Sequence, residues 1–440
     1  MYPPVLPQRP RRAWTGAIVA TLVGLAVVIT VSGGAATSFA VRASAANGTS
    51  VFVDGLRPDV RNPALRTLLD RRAKAVRDKN QSAFLADVDP ADPTFVHKQQ
   101  VEFQNLQKIP LGGFGYQLED SVQYDALIPA QLRTRYHGMV RAAGVDVQYR
   151  IDGMDVTGVA TPWVPVFGLA SGVWRIVGEA ADKSLPLGVN GQPWDASPIT
   201  VARSTRVVAV MSAEDGARAP ALLKMAESAL DRVAAVRPNG WAGKIFITAV
   251  QDSGIFDTYF ADSPDRVNQV AAIAVPYYDD VPAWHRDARY AATRVVFNPA
   301  QLAADDAELA HDLTHEFTHA AMGPVTSDAT PLWLVEGFAE YVPFKTEQVS
   351  TQWLHRVLTG LSTSSPPPDS TFYRDGRNYA LGWLACRYIA QTYGEAKLVE
   401  LYQNLSSGAA DLRGTLGVDL ATFTAGWANY VERARTSALP

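Results

Sequence analysis

The spacing of hydrophobic and polar residues divides the chain into a helical stretch, a strand-rich stretch, and a second half in which strands precede helices. Between residues 64 and 88 the apolar residues fall at helical spacing on one face, namely Leu65, Leu68, Leu69, Ala73 and Val76. The charged residues of this stretch are predicted to occupy the opposite face. Asp89-Pro90 is predicted to end the helix.

Residues 101–177 alternate apolar and polar positions, as in VDVQYRIDG and GVWRIVG, with turn residues between the runs. Alternation of this kind predicts antiparallel strands, so residues 47–184 are expected to form a small α+β domain. The helix pattern, YRIDGMD and the closing WRIV resemble the cone-shaped NTF2-like domains, in which a curved sheet wraps a long helix. The aromatic residues of this region are predicted to belong to the sheet core rather than to a ligand pocket: Tyr149, Trp163, Phe167 and Trp174.

The Pro- and Gly-rich segment KSLPLGVNGQPWDASP predicts a domain boundary, with a second domain over residues 185–440. Its apolar runs RVVAVMS, KIFITAV, QVAAIAV and TRVVFN are typical of strands. Later segments have helical period, including one that ends at Gly323 and one that starts at Pro331. The predicted fold class is therefore α+β, and the second domain has a strand-rich part followed by a mainly helical part.

The first 46 residues differ in composition from the rest of the chain. MYPPVLPQRPRR carries three arginines and no acidic residue, and residues 13–41 carry no charge. The apolar stretch from Trp14 to Val31 is near the lower length limit for a transmembrane helix. Because the positive flank precedes it, we expect a single-pass anchor in the cell membrane, with the bulk of the chain extracytoplasmic. The alternative is a signal peptide cleaved at the small-residue site Ala43 to Ala45, which would give a secreted protein.

The segment HDLTHEFTHAAM contains the spacing His-Glu-x-x-His at residues 315–319. Residues four apart on a helix lie one above the other, so His315 and His319 can bind one metal ion through their ring nitrogens. Glu316 is one step round the helix, where it can contact a water molecule on that metal without replacing it. This spacing suits hydrolysis assisted by Zn²⁺.

A catalytic zinc ion needs a third protein ligand and an open position for water. On a straight helix His311 lies about 12 Å from His319 along the axis, so it cannot join the same ligand set. It is expected to face solvent or to lie behind the ligands. Glu336 is a better candidate, because a glutamate in the apolar context WLVEGFAEY is costly to bury unless it is paired or binds a metal.

HEFTH followed by PLWLVEGFAEYV resembles the gluzincin (peptidase MA-like) metallopeptidases. The likeness is strongest to thermolysin-like catalytic domains of the aminopeptidase N type, whose second helix carries Trp-Leu-x-Glu-Gly-x-Ala. It covers roughly residues 195–405, and the matching residues are Trp333, Leu334, Glu336, Gly337 and Ala339. The resemblance implies that the zinc ligands are His315, His319 and Glu336, and that Glu316 is the general base.

The same resemblance implies roles for two further residues. Glu340 matches a carboxylate, four residues after the glutamate ligand, that orients the first histidine. Tyr373, in the pattern Tyr-x-x-Gly, matches a tyrosine that stabilises the oxyanion, with Tyr379 as the alternative. The Gly-x-Met-Glu-Asn segment that recognises a free amino terminus is missing, so the specificity of an aminopeptidase is not implied.

Composition narrows the function classes further. The net charge is −4 and the body of the chain has no long run of Lys or Arg, so we expect no nucleic-acid partner. The single cysteine, Cys386, cannot form an internal disulfide. We therefore expect a membrane-anchored zinc metallopeptidase that acts on a peptide or protein substrate. The alternative is an inactive or weakly active zinc-binding scaffold or interaction protein at the cell envelope.

Overall fold

The fold is taken from a computed structural model that describes residues 63–180, 191–237, 239–260, 267, 270–281, 287–302, 305–347, 349–408 and 411–436. The predicted anchor or signal segment within residues 1–46 lies outside these residues. Among the helices that are described, none has the length and apolar character needed to cross a bilayer.

The first half of the described chain is a group of helices followed by an antiparallel sheet. Its elements are α1 (Pro63–Arg77), α2 (Gln81–Ala86), α3 (Pro93–Leu106), β1 (Leu111–Gln123), α4 (Ala130–Arg135), β2 (Val140–Ile151), β3 (Val159–Trp163), β4 (Pro165–Ala170) and β5 (Val173–Glu179). The long strand β2 pairs antiparallel with β1, β3 and β4, and β4 pairs with β5.

The second half starts with strands and ends with helices, as the apolar pattern predicts. Its elements are β6 (Ile199–Arg203), β7 (Val207–Ser212), α5 (Ala219–Val236), β8 (Ile245–Ala249), α6 (Ser253–Asp257), β9 (Ala272–Tyr278), β10 (Tyr290–Phe297), α7 (Asp306–Met322), α8 (Leu332–Phe344), α9 (Thr351–Leu358), α10 (Asn378–Tyr393), α11 (Glu395–Ser407), α12 (Leu412–Leu416) and α13 (Leu420–Thr436). Strands β7, β8 and β10 run parallel, whereas β6 and β9 run antiparallel to their neighbours.

The described strands of both halves belong to one mixed sheet. Its order is β5-β4-β2-β3-β9-β10-β8-β7-β6, with β1 also paired to β2. The two parts of the sheet meet at β3 and β9, where Ala160 pairs with Tyr278. The predicted α+β class is confirmed.

Both faces of the second-half sheet are buried, which explains its continuous apolar runs. Val207 and Ala209 on β7 face a core built with α5, α7 and the later helices. Val208 lies on the other face, in a core shared with Phe84 and Tyr149 of the first half. The two halves thus pack against each other through apolar side chains, and the division between residues 184 and 185 stays a prediction.

The first helical stretch confirms the predicted buried face and differs from the prediction in two details. Lys79 has a φ of 58° and the Asn80 side chain caps α2, so the stretch folds as two helices rather than one. Arg72 is fully buried, although the helical pattern places it on the charged face. Its guanidinium lies 3.4 Å from the ring centroid of Phe84 and donates to Gln99 of α3.

Candidate metal centre

Helix α7, which carries both histidines of the motif, is buried along most of its length. The Asp305 side chain caps its first turn by accepting from two backbone N–H groups. Further along, the hydroxyls of Thr314 and Thr318 each donate at 2.7 Å to the carbonyl oxygen four residues earlier. These bonds satisfy polar groups that have no access to water. The helix ends at Gly323, as predicted.

Helix α8 carries Glu336 and packs backbone to backbone against α10. A Cβ at Gly337 would overlap the carbonyl group of Gly382, and one at Gly382 would lie 2.7 Å from the carbonyl oxygen of Trp333. Only glycine permits so close an approach of two helices at these positions. The glycine that follows Glu336 in the sequence therefore sets the distance between α8 and α10.

A short 3-10 helix, Asp369–Arg374, brings Tyr373 to the site from outside α8. The Asp369 side chain accepts a hydrogen bond of 2.8 Å from the backbone N–H of Leu332, the first residue of α8. This bond satisfies one of the free N–H groups at the helix start. It also ties the segment that carries Tyr373 to the helix that carries Glu336.

Three potential ligand atoms from α7 and α8 converge at one point. Nε2 of His315 and Nε2 of His319 are 3.0 Å apart, and Oε2 of Glu336 lies 3.6 Å from the first and 3.4 Å from the second. A tetrahedral metal ion with ligands at about 2.0–2.1 Å separates those ligands by about 3.3 Å. The residues therefore have the spacing and the donor atoms to hold a metal ion.

The surroundings of these atoms also fit a cation. All three residues are buried, and they are the only group of His, Cys, Asp and Glu with metal-ligand spacing within the described ranges. Oε2 of Glu336 is a buried atom that accepts no hydrogen bond from the described residues. A buried carboxylate oxygen without such a partner is costly unless a cation compensates its charge.

The pKa values of Glu336 and His315 reflect the opposite charges that face each other at the site, whereas burial dominates at His319. Burial alone raises the pKa of Glu336, but His319 and His315 outweigh it and lower the pKa to about 2. Burial lowers the pKa of His319 despite the nearby carboxylate. Burial also works against a charge on His315, yet Glu336 and Glu340 outweigh it and raise that pKa well above its usual range. Carboxylates that stabilise a protonated, buried imidazole can stabilise a metal cation in place of that proton.

Glu316 is fully buried beside these residues on α7. Neither of its carboxyl oxygens has a hydrogen-bond partner among the described residues. Burial raises the pKa of this carboxyl to about 8, with His315 opposing the shift and Glu336 adding to it. A buried carboxyl group with unused acceptors can take a hydrogen bond from water or substrate.

Glu340 lies on the far side of His315 from the other ligand atoms, as its predicted role requires. Its Oε1 is 3.2 Å from Nδ1 of His315. Burial raises the pKa of Glu340, but contacts with His311 and His315 outweigh it and lower the pKa to about 2. An ionised carboxylate at Nδ1 favours the tautomer that carries its proton there, which leaves the lone pair of Nε2 for a metal.

The two candidate tyrosines occupy different positions. Tyr373 is half-buried, and its hydroxyl donates to Oε1 of Glu336 at 2.8 Å. Tyr379 is buried in α10, where its ring centroid lies 5.0 Å from that of Phe372 and 6.2 Å from that of Tyr373. Its hydroxyl has no hydrogen-bond partner among the described residues. Tyr373 thus reaches the carboxylate of Glu336 directly, and Tyr379 packs beside it.

Two residues beside the site were not determined by the sequence. It left the position of His311 undecided, and it gave no indication of Glu347. His311 does not face solvent: it is buried behind Glu340. Glu347 lies beyond the end of α8 and contacts His311 from the other side. No motif or spacing marks Glu347, because its position depends on how α7 and α8 pack.

A scan against models of protein families gives no match, and a search of curated proteins returns no match either. The interpretation of the site therefore rests on its own residues and geometry.

Proposed function

We propose that this chain is a zinc-dependent peptidase that hydrolyses peptide bonds with a metal-activated water molecule. The observation that carries the proposal is the convergence of His315, His319 and Glu336 beside Glu316, whose carboxyl group has no hydrogen-bond partner among the described residues. Two imidazoles and one carboxylate are the ligand set of a catalytic zinc site that keeps a position open for water.

When bound, zinc polarises the carbonyl of the scissile bond and lowers the pKa of water. Glu316 then accepts the proton of the attacking water and delivers it to the departing amine. The O–H of Tyr373, which donates to Oε1 of Glu336 here, would turn to the oxygen on which negative charge develops. Glu340 keeps the ring of His315 in the orientation and tautomer that its ligand role needs.

The proposal extends to the rest of the chain through the resemblances stated above. HEFTH together with WLVEGFAEY supports a thermolysin-like gluzincin domain over residues 185–440. The helices and strands before it are proposed to form an NTF2-like domain. The arginine flank and apolar segment of residues 1–46 support an extracytoplasmic enzyme on the cell membrane, or a secreted one if the segment is cleaved.

The proposal predicts that the purified full-length protein contains one zinc ion per chain and cleaves members of a mixed peptide library. A chelator should remove both the metal and the activity, and added zinc should restore them, because the chemistry depends on the bound ion. Elemental analysis measures the metal, and mass spectrometry of the products measures cleavage.

The outcome separates the two function classes. A protein without bound metal contradicts the proposal. A protein that holds zinc at full occupancy but cleaves no peptide supports the alternative, a zinc-binding scaffold or interaction protein. The presence of a glutamate at position 316 and a tyrosine at position 373 favours the enzyme, since a scaffold needs neither a general base nor an oxyanion donor.

The position of Tyr373 predicts that Tyr373→Phe keeps the metal and the fold but slows turnover about 100- to 1,000-fold, as loss of one oxyanion donor typically does. The effect should fall on kcat rather than on KM, because the hydrogen bond strengthens as negative charge develops. Steady-state kinetics with one defined peptide measure it.

Tyr379→Phe is the matched control, since it removes the same hydroxyl group from a ring whose centroid lies 6.2 Å from that of Tyr373. Tyr379→Phe should reduce turnover far less than Tyr373→Phe does. If the two results are exchanged, the role belongs to Tyr379. If neither variant slows the enzyme, oxyanion stabilisation comes from another group.

A further inference from the structure

His311 lies between two carboxylates, one at each ring nitrogen. Its Nε2 is 3.2 Å from Oε2 of Glu340, and its Nδ1 is 3.0 Å from Oε2 of Glu347. The residue is only 5% exposed, so water cannot replace either partner easily. A neutral imidazole has a single N–H group, whereas the protonated ring has two. Both contacts become hydrogen bonds only when His311 is an imidazolium.

The pKa of His311 is consistent with a protonated ring. Burial alone would lower the pKa of His311, but its hydrogen bonds to Glu340 and Glu347 outweigh burial and raise the pKa to about 10. The ring of Phe344 packs edge-on against the imidazole, with the centroids 4.9 Å apart. The ring is therefore held in place as well as charged.

His311 is one member of a chain of alternating charges that leads to the ligand atoms. Arg232 of α5 lies 3.7 Å from Glu347, and Glu347 contacts His311. Glu340 contacts His311 with one carboxyl oxygen and His315 with the other. Each carboxylate of the chain thus lies between two nitrogen groups, which offsets the cost of burying it.

We propose that His311 is a positioning residue of the metal site that acts through Glu340. By holding Oε2 of Glu340 it fixes the carboxylate, so that Oε1 stays against Nδ1 of His315. This inference rests on the metal site of the proposed function but not on peptidase activity. Residues that orient a metal ligand directly, as Glu340 is proposed to do, typically contribute about 10- to 100-fold to metal affinity, which sets the upper limit for a residue that acts through Glu340.

The proposal predicts that His311→Gln binds zinc more weakly than the unaltered protein, by up to about 100-fold. A glutamine amide can donate to one of the two carboxylates at a time and carries no charge, so Glu340 loses its fixed position. Competition with a chromophoric chelator measures the dissociation constant on the full-length protein. The visible spectrum of the cobalt-substituted protein reports the ligand geometry and should change as well.

Two further variants show whether the effect comes from positioning. His311→Lys restores a cation between the carboxylates and should recover part of the lost affinity. His355→Gln makes the same substitution at an exposed position on α9, where the ring lies 3.4 Å from the backbone oxygen of Arg435. It should leave zinc binding unchanged. Denaturant unfolding of each protein with excess chelator separates stability from metal affinity.

Each result of these zinc-binding experiments has a different consequence for the positioning role of His311. If the unaltered protein binds no zinc, the proposed metal site fails, and this inference fails with it. If the unaltered protein binds zinc and His311→Gln binds it equally well while losing stability, His311 is only a structural link between α7 and α8, which overturns the positioning role. If His311→Gln does not fold, His311→Lys decides. Lysine supplies the charge but not the two fixed N–H groups of the ring, so His311→Lys should still bind zinc more weakly than the unaltered protein. An unchanged affinity together with an unchanged cobalt spectrum also overturns the positioning role.

Discussion

Replacing Glu316 with glutamine should abolish measurable peptide hydrolysis while the metal stays bound. The amide has the shape of the carboxyl group but cannot accept the proton of the attacking water. None of the ligand atoms of His315, His319 and Glu336 is changed. Loss of a general base typically costs about 100- to 10,000-fold in rate, so turnover should fall at least that far.

The measurement combines turnover on one defined peptide with the zinc content of the same sample. Glu308→Gln is the matched control, because Glu308 lies on the same helix in its first turn, away from the ligand atoms. It should retain full turnover. If Glu316→Gln remains active, another group activates the water and the role given to Glu316 is wrong.

The second large effect is expected for Glu336→Ala, which should leave the site without metal. The change removes the one ligand that α8 supplies, and two histidines on a single helix do not hold a catalytic zinc ion by themselves. The fall in zinc affinity should exceed the about 10- to 100-fold that is typical of residues behind the ligands. Hydrolysis should be lost with the metal.

Elemental analysis of dialysed protein measures this effect directly. His315→Ala should behave in the same way, because it removes a ligand from the other helix. Glu400→Ala on α11 serves as the control: this carboxylate pairs with Lys397 and its side chain is 46% exposed. Full zinc occupancy in Glu336→Ala and His315→Ala would show that the ligand assignment is wrong.

Much of the fold could be predicted from local patterns of apolar and polar residues in the sequence. The apolar face of α1, the buried strands β7 and β8 and the helical character of α7 and α8 all follow from the spacing of apolar residues along a few turns or strand repeats. The end of α7 at Gly323 and the start of α8 after Pro331 follow from residues that cap or interrupt helices. Each of these features depends on neighbours in the sequence.

The candidate ligands could also be found without the structure, for a similar reason. His315 and His319 are one turn apart, so any helix brings them together. Glu336 stands out because it is one of two acidic residues in an otherwise apolar helix. What the sequence could not provide is the separation of the ligand atoms, which depends on how α7 and α8 pack against each other.

The sequence by itself therefore determined the α+β class, the buried faces of single elements and the residue types of the candidate metal centre. Only the tertiary structure decided that Arg72 is buried beneath α3, that both halves share an apolar core, and that Glu347 completes the surroundings of His311. The physical reason is the same in each case. Periodicity records whether a side chain faces water or protein, whereas the partner of a buried charge comes from another element, and its position depends on how the elements pack.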